Sequence, residues 1–218
     1  YNKAKATLEH YKLNLSDEFS TEGDIIFNLF EDSEKKLWIG TKGNGLHRLL
    51  NPSAAPDKAR YKHYYHDKNK KKSLAHNDVY VVTEDKEKNI WIGTVAGLNK
   101  LSLKALNDNV EPEFTIWNEK NGLPNSVVYG ILVDNDNNIW LSTNKGISKY
   151  LVKKHYFVNF DVNDGLQSNE FRQNAYFKDN KGRMYFGGIA GLTYFNPSEI
   201  DLDTSKTNVV FTSLKING

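Results

Sequence analysis

Paired carboxylates are the first residues that could do chemistry. Glu31-Asp32 and Glu84-Asp85 each set two acids side by side, and glycoside hydrolysis needs two carboxyl groups flanking one bond. Adjacent residues on an extended chain point to opposite faces, so neither pair can straddle a single bond. Both pairs recur at the same point of a repeated phrase, which favours a role in a turn. Asp134-Asn135-Asp136-Asn137-Asn138 is as oxygen-rich as a calcium loop. It lacks the glycine at the sixth position and the distal bidentate glutamate that such a loop uses. The histidines His10, His47, His63, His66, His76 and His155 show no metal-ligand spacing, and His63 and His66 read as surface positions on an outer strand. There is no Gly-x-Ser-x-Gly and no phosphate loop. The residues call for no catalytic group, no metal and no cofactor.

Recognition of a sugar asks for less: aromatic faces for C–H surfaces and planar polar groups for hydroxyls. Trp117, Tyr129, Asn125, Asn169, Glu170, Arg172, Gln173 and Asn174 are the candidates. Residues such as Trp117 and Tyr129 more often belong to the blade core. The polar residues within 169–174 are preferred because they break the repeat. Asn77 to Asp85 and Ser126 to Asp134 each span eight positions, whereas Asn169 to Asp179 spans ten. Such a local departure marks either a functional site or a bulge that redirects the strand.

The elements that position these residues follow from one phrase. Asp134 to Thr143 with Gly146-Ile147 repeats Asp32 to Thr41 with Gly45-Leu46 and Asp85 to Thr94 with Gly97-Leu98. A weaker copy runs from Asp179 through Tyr185-Phe186-Gly187-Gly188 to Gly191-Leu192. In every copy the acid stands six positions before the aromatic residue: Asp32/Trp38, Asp85/Trp91, Asp134/Trp140 and Asp179/Tyr185. A fixed phrase with a period near 50 residues marks a repeat architecture. An apolar run precedes each phrase and suits a strand covered on both faces. The Asp/Asn/Lys/Gly cluster forms a tight turn, the Trp-containing run a second strand, and Gly-Leu or Gly-Ile opens a third. Aromatic runs at Tyr61 to His66, Phe114 to Trp117 and Phe157 to Phe160 supply a fourth. The expected fold is all-β: a β-propeller of four blades, each of four antiparallel strands. The blades cover about 21–66, 67–117, 118–160 and 161–197. Residues 1–20 hold an outer strand of a preceding blade, Ala6 to Leu13. Residues 198–218 hold a linker and a terminal strand, Val209 to Ile216. The matched connections Asn121 to Ser126 and Asp164 to Asn169 are expected around the central channel.

Composition bounds the rest. The chain has 218 residues, a net charge of +2 and no cysteine. That charge argues against nucleic acid, and Lys68, Lys70, Lys71 and Lys72 read as a solvated loop tip. No run is long enough to span a membrane and no signal peptide is visible. The chain reads as a piece of a larger protein. Four blades of a larger ring expose two apolar blade faces, so self-association is expected. The alternative is a closed four-bladed ring in which Ala6 to Leu13 completes the last sheet.

Glu31-Asp32 with Leu37-Trp38-Ile39-Gly40-Thr41, and Glu84-Asp85 with Ile90-Trp91-Ile92-Gly93-Thr94, resemble the regulator-propeller repeat of periplasmic sensor regions in hybrid two-component systems. The third copy departs in lacking Glu before Asp134 and in carrying Leu141-Ser142. Asp164 to Phe171, Tyr185 to Gly188 and Phe195-Asn196-Pro197 resemble the last blade of that family. The resemblance implies the C-terminal four blades of the second of two seven-bladed propellers. It also implies an oligosaccharide ligand, a following immunoglobulin-like domain, a membrane-anchored parent with a periplasmic sensor part, and a histidine kinase outside this chain. Two other readings stand beside it: a sialidase-like propeller glycosidase, whose turn phrase is distantly similar, and a non-catalytic interaction scaffold. A sialidase needs several arginines converging on a carboxylate. Only Arg48, Arg60, Arg172 and Arg183 exist, and Arg48 and Arg60 fall on or near outer strands.

Overall fold

Each repeat folds around a carboxylate that closes its first turn. Asp32 Oδ1 accepts from the Glu34 and Lys36 amides at 2.9 Å each, and Oδ2 accepts from Trp38 Nε1 at 2.8 Å. Trp91 donates to Asp85 at 2.7 Å and Trp140 to Asp134 at 3.0 Å. In the last repeat a phenol replaces the indole, and Tyr185 donates to Asp179 at 3.3 Å. The six-residue spacing is therefore a hydrogen bond across a turn. Three residues after each acid the backbone is left-handed: Lys35, Lys88, Asn137 and Gly182.

A computed structural model describes residues 8–11, 13, 25–101 and 112–200, in which four antiparallel sheets form a four-bladed β-propeller. Blade one holds β1 (Ile26–Glu31), β2 (Leu37–Thr41), β3 (Leu46–Leu49) and β4 (Tyr61–Tyr64). Blade two holds β5 (Val79–Glu84), β6 (Ile90–Thr94), β7 (Gly97–Leu101) and β8 (Phe114–Trp117). Blade three holds β9 (Val128–Val133), β10 (Ile139–Thr143), β11 (Gly146–Leu151) and β12 (Tyr156–Phe160). Blade four holds β13 (Phe171–Lys178), β14 (Met184–Gly188) and β15 (Gly191–Phe195). Its sheet has three strands among the described residues rather than the expected four.

The blades are clamped in sequence. Trp38 shares a core with Val79, Val82, Ile90 and Ile92 of the next blade. Trp91 does the same with Val128, Ile131, Ile139 and Leu141, and Trp140 with Phe171, Met184 and Phe186. Behind each indole stands a cation from its cross-strand partner: Arg48 at 5.6 Å, Lys100 at 5.6 Å and Lys149 at 4.9 Å from the ring centroid. Full desolvation of the indole strengthens such cation–π contacts. An outer-strand ring stacks beside each indole: Tyr64, Trp117 and Phe160. The small residue after each Trp-Ile pair admits the neighbouring inner strand. A Cβ on Gly93 would stand 2.8 Å from the Val128 carbonyl oxygen, and one on Gly40 2.9 Å from that of Val79.

The inner strands β1, β5, β9 and β13 pack in that order. Asn28 links the ends of the series: its Nδ2 donates to Tyr176 Oη at 3.4 Å and its Oδ1 accepts from the Val82 amide. Among the described residues nothing covers the outward faces of the first and last blades, with Leu29 59% exposed on one and Tyr194 64% on the other. Of the segment Ala6 to Leu13, only residues 8–11 and 13 are described. Residues 8–11 and 13 carry no strand, and the Tyr11 hydroxyl donates to the Ala54 carbonyl beside blade one. The rest of that segment, and the strand expected at Val209 to Ile216, lie outside the described residues.

Candidate functional site

The inner strands begin with an irregularity that repeats. Val79 pairs with Thr94 and Val81 with Gly93, so Tyr80 is one residue too many on β5. Tyr129 is its counterpart between Val128 and Gly130, and Phe27 between Ile26 and Asn28. A β-bulge of this kind re-aims a side chain, and here it brings three rings together. Phe27 and Tyr80 have centroids 5.3 Å apart, and Tyr80 and Tyr129 also 5.3 Å apart, at tilts of 43° and 37°. Rings from three successive inner strands can touch only near the propeller axis. All three are half-buried, so each keeps an accessible portion. Burial raises the Tyr80 phenol pKa, helped by the Asp78 carboxylate and by Tyr129. Tyr80 is accordingly a neutral hydroxyl donor at neutral pH.

Blade four enlarges the same bulge. Phe171 pairs with Gly188 as Val79 pairs with Thr94, but the next pair is Tyr176 with Phe186. The Cβ of Ala175 would lie 3.0 Å from one built on Gly187, which sets Ala175 opposite that glycine. Arg172, Gln173 and Asn174 thus occupy the stretch that one ring occupies elsewhere. Arg172 and Asn174 are exposed, and Gln173 is half-buried with its Nε2 lacking any hydrogen-bond partner. Asn174 takes a left-handed φ of 60°. The two extra residues expected from the sequence are therefore a bulge and, in addition, a polar projection.

The remaining candidates divide differently. Asn125 Oδ1 accepts from the Val127 amide at 3.0 Å, as His76 Nδ1 accepts from Asp78 and Ser168 Oγ from Glu170. Asn169 Oδ1 accepts from the Val162 amide, and Asn77 Oδ1 from that of His66. These groups shape the connections that deliver the inner strands. Each of the last two connections begins in a 3-10 turn closed by a left-handed glycine, Gly122 or Gly165. Trp117 lies 5.4 Å from Trp91 and 5.0 Å from Tyr150, and so belongs to packing between blades two and three. Glu170 is exposed beside the bulge, with its carbonyl accepting from the Ile189 amide. Phe27 and Tyr80 were missed by sequence reasoning. Their signal was present: Phe27, Tyr80 and Tyr129 each stand five positions before the aspartate of their repeat.

His63 is not the surface residue expected. It stacks on buried His47 at 4.4 Å, and the Asn44 carbonyl accepts from His63 Nε2 at 2.6 Å and from His47 Nε2 at 3.0 Å. Burial lowers both imidazoles, His47 to about 3. Arg48 is buried under Trp38, and Arg183 is tied to Asp179 at 2.8 Å. The four arginines therefore do not converge. A groove of about 530 Å3 lies near Tyr65, Lys71 and Phe114, and there Lys72 pairs with Glu113 at 2.7 Å. Among the described residues, no three His, Asp or Glu side chains gather as a metal-ligand set.

The two-component regulator propeller family model matches residues 21–43, 73–96 and 122–145. The chain is 30% identical to Histidine kinase P4 of Formosa agariphila over 91% of its own length and 14% of that protein's. It is 26% identical to the extracellular domain assigned to a hybrid two component system of B. thetaiotaomicron, covering 90% of this chain and 30% of that one at a TM-score of 0.49. It aligns with PorZ of the type-IX secretion system of Porphyromonas gingivalis at 17% identity and a TM-score of 0.68, covering 90% and 28% of the two chains, a likeness of fold alone. The chain thus spans a small part of each. The two-component regulator propeller family model matches within three of the four blades.

Proposed function

We propose that this propeller is the ligand-sensing part of a two-component receptor, that it binds an oligosaccharide, and that it performs no chemistry. The observation that carries this reading is the contact of Phe27, Tyr80 and Tyr129 across three blades. Offset, half-buried rings supply apolar faces for sugar C–H surfaces, and the Tyr hydroxyls and the polar bulge supply hydrogen-bonding groups. Occupancy would pass to a histidine kinase outside these residues, in keeping with the name of the Formosa relative. The parent protein would be membrane-anchored with this part in the periplasm. Its remaining partners would be further propeller blades and an immunoglobulin-like domain. Among the described residues no helix is long and apolar enough to cross a membrane. The sialidase-like alternative loses support from the scattered arginines, and the interaction-scaffold reading gives the ring contact no role. Titration of the intact sensor region with an oligosaccharide panel, followed by product analysis, tests the proposal. Saturable binding with the sugar recovered intact is expected. Released shorter sugars would overturn it in favour of a glycosidase, and silence across the panel would favour a scaffold.

A further inference from the structure

We infer that the channel-mouth site takes an acidic oligosaccharide, and that Arg172 with Gln173 reads its carboxylate or sulfate group. This rests on the sugar-binding reading above and adds a substrate class to it. Phe171 opens β13 where Val79 and Val128 open β5 and β9, so Arg172 follows at the place of Tyr80 and Tyr129. Three blades thus put a ring at this place on the inner strand, and the fourth puts a guanidinium there.

The chemistry of the enlarged bulge is one-sided. Arg172 is exposed and makes no hydrogen bond or ion pair among the described residues. Guanidinium offers five donors in a planar fork and no acceptor, which matches carboxylate and sulfate geometry. The Nε2 of the neighbouring Gln173 is a second donor, buried without an acceptor. A buried polar group left unpaired is rare in a folded protein and calls for a partner. Two donor groups lacking acceptors are complemented by an acceptor-rich anion, not by a neutral hydroxyl alone. Asn174 adds backbone strain through its left-handed φ, a cost that persists where function requires the geometry. A further positive charge stands close to the rings: Lys42 is near enough to Tyr80 to oppose the rise of its phenol pKa. Two carboxylates stand in the same region, Asp78 near Tyr80 and Glu170 just before Phe171. Asp78 is occupied by the Gly43 amide at 2.7 Å. Glu170, exposed beside the bulge, can accept from sugar hydroxyls.

The test uses the 218-residue chain and matched sugar pairs in calorimetric titrations. One arm compares tri-galacturonate with its carboxyl-reduced counterpart, galactotriose. The other compares a sulfated galactan oligosaccharide with its desulfated form, so the two arms separate uronate from sulfate. In at least one arm the acidic member should bind about tenfold or more tightly, the strength of one charge-assisted hydrogen-bonded pair. Arg172→Gln should bring that member down to the level of its neutral partner. Tyr80→Ala should weaken both members. Added salt should weaken the acidic member selectively. Equal affinity for acidic and neutral members overturns the inference but leaves sugar binding standing, as does a preference that survives in R172Q. No binding by any member overturns the sugar reading and this inference together. Unchanged urea midpoints for both variants would confirm that the fold is intact.

Discussion

The carboxylate of Asp85 accepts from the Glu87 and Asn89 amides, the Asn89 side chain and the Trp91 indole while only 4% exposed. Removing it strands a buried indole N–H and opens the turn. Asp85→Ala should therefore cost about 3 kcal/mol of stability in urea unfolding. Asp179→Ala, at the more open turn of blade four, should cost less. Equal losses at the two sites would contradict the turn-lock account. The stacked imidazoles give a pH dependence with a definite sign. His47 stays neutral in the folded chain because burial lowers its pKa to about 3. The unfolded chain binds a proton near pH 6.5, so stability present at neutral pH is lost as pH falls below that value. At pH 5 the loss from His47 alone should be about 2 kcal/mol, since each unit between the two pKa values is worth about 1.4 kcal/mol. Urea midpoints at pH 7 and pH 5 check it, and H47Q should flatten the difference.

At the level of the strand and turn, the sequence is most legible where one residue has one job. Trp, Asp and Gly recur at fixed offsets because the turn, the indole bond and the blade spacing each admit few substitutes. The cation behind each indole was not anticipated, since Arg48, Lys100 and Lys149 sit at offsets of ten, nine and nine residues from Trp38, Trp91 and Trp140. Only the strand register reveals them as one position. The site was half legible for a similar reason. Arg172, Gln173 and Asn174 stood out by breaking the repeat. Phe27 and Tyr80 obey it, and an aromatic on an inner strand looks like core until the bulge turns it. Asn125 and Asn169 had the right chemistry, but local backbone amides occupy their oxygens, a competition that composition cannot show. Two substitutions test the element-level account. Lys88→Gly, at a left-handed φ of 63°, should stabilise by about 0.5 to 1 kcal/mol, because glycine carries no Cβ penalty there. Gly93→Ala should destabilise by about 2 kcal/mol through overpacking against the Val128 backbone. Thermal or urea unfolding reads both, and a neutral Gly93→Ala would mean the blades are not held at the spacing described.

Across the whole molecule the same clamp has a fourth copy that none of the described residues covers. In blades one to three the ring six positions after the acid presses on the following blade. In blade four Tyr185 faces outward, flanked by exposed Phe177 and Tyr194 at centroid distances of 6.0 and 5.8 Å. Ile26 and Leu29 on blade one are the exposed counterparts of Val79 and Val82, which take the clamp in blade two. The isolated chain should therefore self-associate, because contiguous apolar faces of this kind seek cover. Light scattering should show more than the 24.9 kDa monomer, and Leu29→Lys with Tyr194→Lys should restore it. The central claim concerns the rings at the axis, and a crystal structure with a bound oligosaccharide tests it most directly. The account predicts sugar density against the accessible portions of Tyr80 and Tyr129, reaching toward the blade-four bulge. A sugar seated in the groove between Tyr65 and Phe114, with the three rings bare, would contradict it.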